Sequence, residues 1–111
     1  MRDDSERIRD IQESIEKIEK YSVRGKTVFF ADELIQTWII HHLQIIGEAS
    51  SAISQEFKSN YPQTPWVKIT DFRNIIVYEY FRVNLDNVWS IVEDELPQLK
   101  AQISVILQEI E

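Results

Sequence analysis

The chain has 111 residues, 43% of them apolar, no cysteine, and a formal net charge of −7. That length suits one compact domain over residues 1–111, and two glycines with three prolines argue against a loop-rich or disordered chain. The negative charge opposes general affinity for nucleic acid, which works by neutralising phosphates with Lys and Arg, so any RNA contact must be local; the missing cysteine excludes disulfides, thiolate zinc sites and cysteine nucleophiles.

Met1 to Arg7 lacks the apolar core of a signal peptide. No apolar run approaches the roughly 20 residues that span a bilayer, so a cytoplasmic protein with no membrane contact is expected. Ile8, Ile11, Ile15 and Ile18 recur at spacings of three and four with charged residues between them, which predicts a first, two-faced helix ended by Gly25. From about Thr27 to Phe57 a longer helix is expected with two apolar stripes. Leu34, Trp38, Ile45, Ala49 and Ala52 form one; Ile35, Ile39 and Ile46 form the other. So wide a surface predicts one face on the chain's own core and one on a second copy, giving a homodimer.

Tyr61-Pro62-Gln63-Thr64-Pro65 interrupts the pattern, and Thr64 before Pro65 and Trp66 reads as a cap with proline at the first helical position. A third helix is expected to run to about Tyr80. Asn84 or Asp86 then caps a fourth element carrying Val88, Trp89, Ile91 and Val92, and Pro97 opens a last helix with Leu99, Ile103, Ile106 and Ile110. The expected fold class is all-α, an antiparallel bundle of four to five helices.

The residues able to carry chemistry sit in the third element. Arg73, four residues, then Tyr78-Glu79-Tyr80 fit the pattern Arg-x4-His-x-Tyr except at Tyr78. An arginine fork can hold two phosphate oxygens and stays charged at every working pH. The plainer reading of Arg73 pairs it with a carboxylate such as Glu48. Tyr80 follows Arg73 by seven residues, two turns of an α-helix, which sets both on nearly one face. Tyr78 can equally be an aromatic filling a groove, and Tyr80 a core or interface residue. Asn74 can hold a phosphate or a backbone group. Lys68, Arg82, Arg24 and Lys26 are further candidate cations.

Elsewhere the expectations are structural. A glycine inside a helix costs about 1 kcal/mol relative to alanine, so Gly47 implies that another backbone crosses close by. His41 and His42 point about 100° apart on a helix, the wrong spacing for one metal. Glu93-Asp94-Glu95 reads as a solvated helix end.

Several blocks in register carry a resemblance: Ile46-Gly47-Glu48-Ala49, Pro65-Trp66-Val67-Lys68-Ile69, Phe72-Arg73-Asn74 with Glu79-Tyr80, Asn84-Leu85-Asp86-Asn87-Val88-Trp89, and Leu96-Pro97-Gln98-Leu99. Over residues 6–108 the chain resembles the HepT-like members of the HEPN superfamily, the toxin halves of minimal-nucleotidyltransferase/HEPN toxin–antitoxin pairs. The resemblance implies a homodimeric endoribonuclease that cleaves RNA with neither metal nor cofactor. It implies Arg73 and Asn74 in the catalytic segment, with Tyr78 in the place of the motif histidine. It also implies a cognate nucleotidyltransferase antitoxin as partner and Tyr80 as the acceptor of AMP. A tyrosine titrates near pH 10 and is a poor base at pH 7, so cleavage is expected to be impaired. The alternative is a non-catalytic binding or substrate subunit of a nucleotidyltransferase complex.

Overall fold

A computed structural model describes residues 3–74 and 84–111. Helix α1 spans Asp4–Ser22, and the Asp3 carboxylate accepts from the Glu6 amide at its start. Ile8, Ile11, Ile15 and Ile18 are at most 1% exposed, so the predicted apolar face is the buried one. Gly25 follows the helix with φ +96°, a conformation that a side chain would strain, and turns the chain into α2, Lys26–Ala31.

The long helix expected from Thr27 to Phe57 is three helices. Asp32 leaves the helical region and its carboxylate accepts from the Leu34 and Ile35 amides, so α2 ends and α3, Glu33–Ala52, begins there. The Gln36 carboxamide donates to the Phe29 and Phe30 carbonyls, satisfying the end of α2. Ser54 repeats the device: its hydroxyl accepts from the Phe57 amide and opens α4, Gln55–Ser59, while donating to Asp4 of α1. Each break has a side-chain cap that supplies a partner for amides a helix start leaves free.

Ile35, Ile39 and Ile46 are buried within the one chain, against α1, so this stripe is the chain's own core. It needs no second copy to cover it. Of the other stripe, Ala49 is buried, Trp38 and Ile45 are half-buried, Ala52 is exposed, and Leu34 is 81% exposed.

Helix α5 spans Trp66–Thr70. Thr64 is buried but makes no capping bond, contrary to expectation; Pro65 occupies the cap position. The chain then tightens into a 3₁₀ turn, Asp71–Asn74, where a continuous α-helix was expected. The rest of that expected helix, to Tyr80, lies outside the described residues. Asn84 caps α6, Leu85–Ser90, by accepting from the Asn87 amide, as its position predicts.

Pro97 does not begin a separate helix. A π segment, Ile91–Glu95, links α6 directly to α7, Leu96–Ile110. The Leu96 amide donates to the Ile91 carbonyl, a wide turn that loosens the helix just where the proline ring has no N–H to give. Leu99, Ile103 and Ile106 are buried, and α7 lies along α1. The acidic run is engaged: Trp89 Nε1 donates to Glu93, Ser90 to Asp94, and Lys68 pairs with Glu95. Among the described residues there is no strand, and the fold is all-α as expected.

His41 is exposed and His42 is buried under Trp38, with ring centroids 4.6 Å apart. The His42 Nδ1 has no hydrogen-bond partner. Burial, then the neighbouring His41 and Lys17, hold its pKa below the ordinary imidazole value, against the opposing charge of Glu13. The folded chain therefore resists a proton that the unfolded chain accepts. Stability from this group is full above about pH 6.5 and falls as the pH drops below that value. Melting temperatures between about pH 7.5 and 5.5 should fall more steeply for the parent chain than for His42→Leu. Equal slopes would show that His42 is not charged on unfolding.

Candidate functional site

The end of α5 and the 3₁₀ turn are seated on α3 by one contact each, in antiparallel register. Residues 47 and 50 of α3 stand against residues 73 and 70, steps of three taken in opposite directions. At the first step there is no side chain: a Cβ on Gly47 would lie 2.4 Å from the Arg73 nitrogen, 2.9 Å from its Cβ and 3.0 Å from its Cα. At the second, the fully buried Ser50 hydroxyl and the Thr70 hydroxyl are 2.9 Å apart, and Ser50 also reaches the Trp66 carbonyl at 3.4 Å. A buried hydroxyl without a partner is costly, so this pair specifies how α5 lies on α3. The crossing backbone that Gly47 implied is that of Arg73 itself.

Arg73 is exposed, and Asn74 beside it is half-buried. Among the described residues Arg73 makes no ion pair, so the pairing with Glu48 is not made. Glu48 belongs to a separate depression of about 230 Å³ with Arg7 and His41. Tyr78, Tyr80 and Arg82 lie outside the described residues. Arg24 and Lys26 stand over the Tyr21 and Phe30 rings at the α1–α2 turn and take no part in the groove that Arg73 lines.

That groove, about 950 Å³, runs between α4 and α5 and is lined by Arg73, Lys58, Lys68, Ser51, Ser59 and Thr70, among others. Asp71 is its one carboxylate among the described residues. Lys68 was singled out in the sequence. Lys58 was not, because nothing local links it to a residue fifteen positions on. The link is Trp66, whose buried indole donates to the Tyr61 carbonyl at 3.0 Å and holds the connecting loop so that α4 borders α5. Among the described residues no group of three or more His, Asp or Glu is placed to hold a metal ion.

In this all-α chain an exposed arginine on a tight turn shares a groove with two lysines, a set of cations able to hold phosphate oxygens. A family model described as Ribonuclease HepT-like matches residues 11–106, and the chain belongs to that family, within the HEPN superfamily. It is similar to the probable ribonuclease HepT of Thermococcus cleftensis, with 34% identity over 86% of this chain and 87% of that protein. It is 37% identical, over 91% of its length, to the gamma-glutamylcyclotransferase and putative RNase MJ0434 of Methanocaldococcus jannaschii, of which the match spans 46%. A second protein of that organism, named Putative RNase MJ1380, is 32% identical over 70% of this chain and 72% of its own length. No solved structure matches the chain. Among the described residues no helix is long and apolar enough to cross a membrane.

Proposed function

We propose that this chain is the toxin of a toxin–antitoxin pair, a HepT-like endoribonuclease that cleaves RNA without metal, and that Tyr78 at the motif histidine position impairs it. Cleavage needs a base to take the 2′-hydroxyl proton, positive charge beside the phosphorus while the 2′-oxygen bonds to it, and an acid to protonate the departing 5′-oxygen. Arg73 supplies the charge. Asn74 holds the phosphate or the turn beside it. Tyr78 can donate a proton and is a poor base.

The observation that carries this reading is Arg73 itself, exposed, free of carboxylate partners among the described residues, and seated by backbone contact on Gly47 at a groove rich in cations. Two copies pair to share the cleft, and among the described residues Val23, Leu34 and Val67, each about 80% exposed, and the less exposed Val105 are the large apolar side chains available for that contact. The partner is a minimal nucleotidyltransferase that neutralises the toxin by transferring AMP to Tyr80, which adds bulk and negative charge at the site.

The antitoxin step has its own test. Incubation with the cognate nucleotidyltransferase, ATP and a divalent metal for that enzyme should add adenylyl mass to the chain, and Tyr80→Phe should remove the addition. Modification that persists in Tyr80→Phe would put the acceptor elsewhere. Tyr78 favours a second reading, in which the chain is a non-catalytic subunit that binds the nucleotidyltransferase. RNA cleavage by Tyr78→His, measured with chelator present, separates the two.

A further inference from the structure

We propose that the groove between α4 and α5 is the path of the RNA strand beside the phosphate held by Arg73, with Lys58 the contact for a neighbouring phosphate. This rests on the ribonuclease reading and extends it from one phosphate to the strand.

Charge distribution is the first support. The chain carries nineteen acidic and twelve basic residues, so an average patch of its surface is acidic. The groove instead presents Lys58, Lys68 and Arg73 against Asp71 alone among the described residues. Such a local reversal of sign draws a polyanion to one place on a protein that repels it elsewhere.

Lys58 itself is the second. The chain has six lysines, and the other five are engaged. Lys17 pairs with Glu13, Lys68 with Glu95 and Lys100 with Glu19, while Lys20 and Lys26 stand over the Tyr21 and Phe30 rings. Among the described residues Lys58 is the one lysine with neither a carboxylate nor a ring, and it is a lysine that lines this groove. On a surface so rich in carboxylates, an uncommitted ammonium at the groove wall is the group left for a ligand's anion.

The groove's other chemistry decides which polyanion. Among the described residues its walls carry the hydroxyls of Ser51, Ser59 and Thr70, and the one aromatic side chain there, Trp66, is buried with its N–H spent on Tyr61. These described side chains are suited to phosphates and sugar hydroxyls, contacts that carry no sequence information. At about 950 Å³ the space is at the upper end of the range for small-molecule pockets, far larger than one phosphate requires. A short run of single-stranded RNA fits those features, bound tolerantly of sequence.

The test is binding of the full chain to a 2′-O-methyl oligoribonucleotide, which cannot be cleaved through its 2′-oxygen, across a series of salt concentrations. Lys58→Ala should weaken binding uniformly across sequences and reduce the slope of log affinity against log salt by about 0.7, the loss of one phosphate contact on a single strand. Lys58→Arg should restore both. Glu95→Gln, which releases Lys68 from its ion pair, should strengthen binding. Lys20→Ala, away from the groove, should change nothing.

Parent affinity and slope in Lys58→Ala, with binding weakened in Arg73→Ala, would overturn the groove path and leave the ribonuclease reading standing. Loss of neither on both substitutions would overturn both. A Lys58→Ala chain that binds RNA normally but no longer captures the nucleotidyltransferase would make the groove a protein-docking surface and overturn the proposal.

Discussion

Gly47→Ala should melt several degrees below the parent chain and lose its grip on RNA, although alanine is the better helix former. Two effects oppose each other. Alanine in mid-helix gains about 1 kcal/mol over glycine. The new Cβ, however, would meet the Arg73 nitrogen at 2.4 Å, and the atom in the way is backbone, so no side-chain rotation relieves it. Inserting a carbon into a tight contact costs typically about 1–3 kcal/mol, and a rigid neighbour places this case at the upper end. For a domain of this size about 1 kcal/mol corresponds to roughly 4–8 °C of melting temperature.

The chain relieves the contact by moving the turn off α3, which carries Arg73 with it and disturbs the Ser50–Thr70 hydroxyl pair one step along. Thermal unfolding by circular dichroism and binding of uncleavable RNA read the two consequences separately. Gly47→Val, larger and stiffer, should be worse in both. A Gly47→Ala chain more stable than the parent, with RNA affinity intact, would mean that Arg73 does not depend on this close approach.

Tyr78→His is expected to raise RNA cleavage by two orders of magnitude or more. General acid–base catalysis is worth about 10²- to 10⁴-fold, and histidine supplies it near neutrality where an unperturbed tyrosine, with a pKa of about 10, stays protonated. The gain requires that the phosphate site survive in the parent chain. The exposed Arg73 on its turn and the cationic groove beside it are the grounds for expecting that. Cell growth on induction should fall in parallel with the gain in cleavage. A fully active parent would show that Tyr78 is no handicap; an inert Tyr78→His chain that folds normally would favour the binding-subunit reading.

Much of this fold was legible because it is written locally. Four isoleucines at spacings of three and four predict α1 and its buried face, and Asn84 caps the helix it precedes. The breaks at Asp32 and Ser54 were missed because apolar periodicity runs through both, while the decisive events are side-chain bonds to amides two and three residues on. Pro97 reads in sequence as opening a separate last helix, but a π segment joins that helix to the one before it.

The site divides the same way. Arg73 and Asn74 are visible as a motif, and Gly47 as the sign of a close backbone crossing, yet only the antiparallel seating of the turn on α3 joins them. That contact is tertiary, as is the loop held by Trp66 that brings Lys58 to the groove. The seven-residue spacing of Arg73 and Tyr80 assumed an α-helix that the chain leaves at Asp71 for a 3₁₀ turn. Tyr78 and Tyr80 lie beyond the described residues, so their register with Arg73 rests on the sequence.

The measurement that bears most directly on Arg73 as phosphate clamp is RNA cleavage in the Tyr78→His background, with and without Arg73→Ala, in metal-free buffer with chelator. Charge stabilisation and proton transfer serve one transition state, so removing the guanidinium should abolish the whole gain rather than a part of it. Activity that appears with histidine at position 78 and vanishes with Arg73→Ala is the predicted result. Cleavage that persists undiminished in the double variant, folded and chelator-treated, would contradict the assignment.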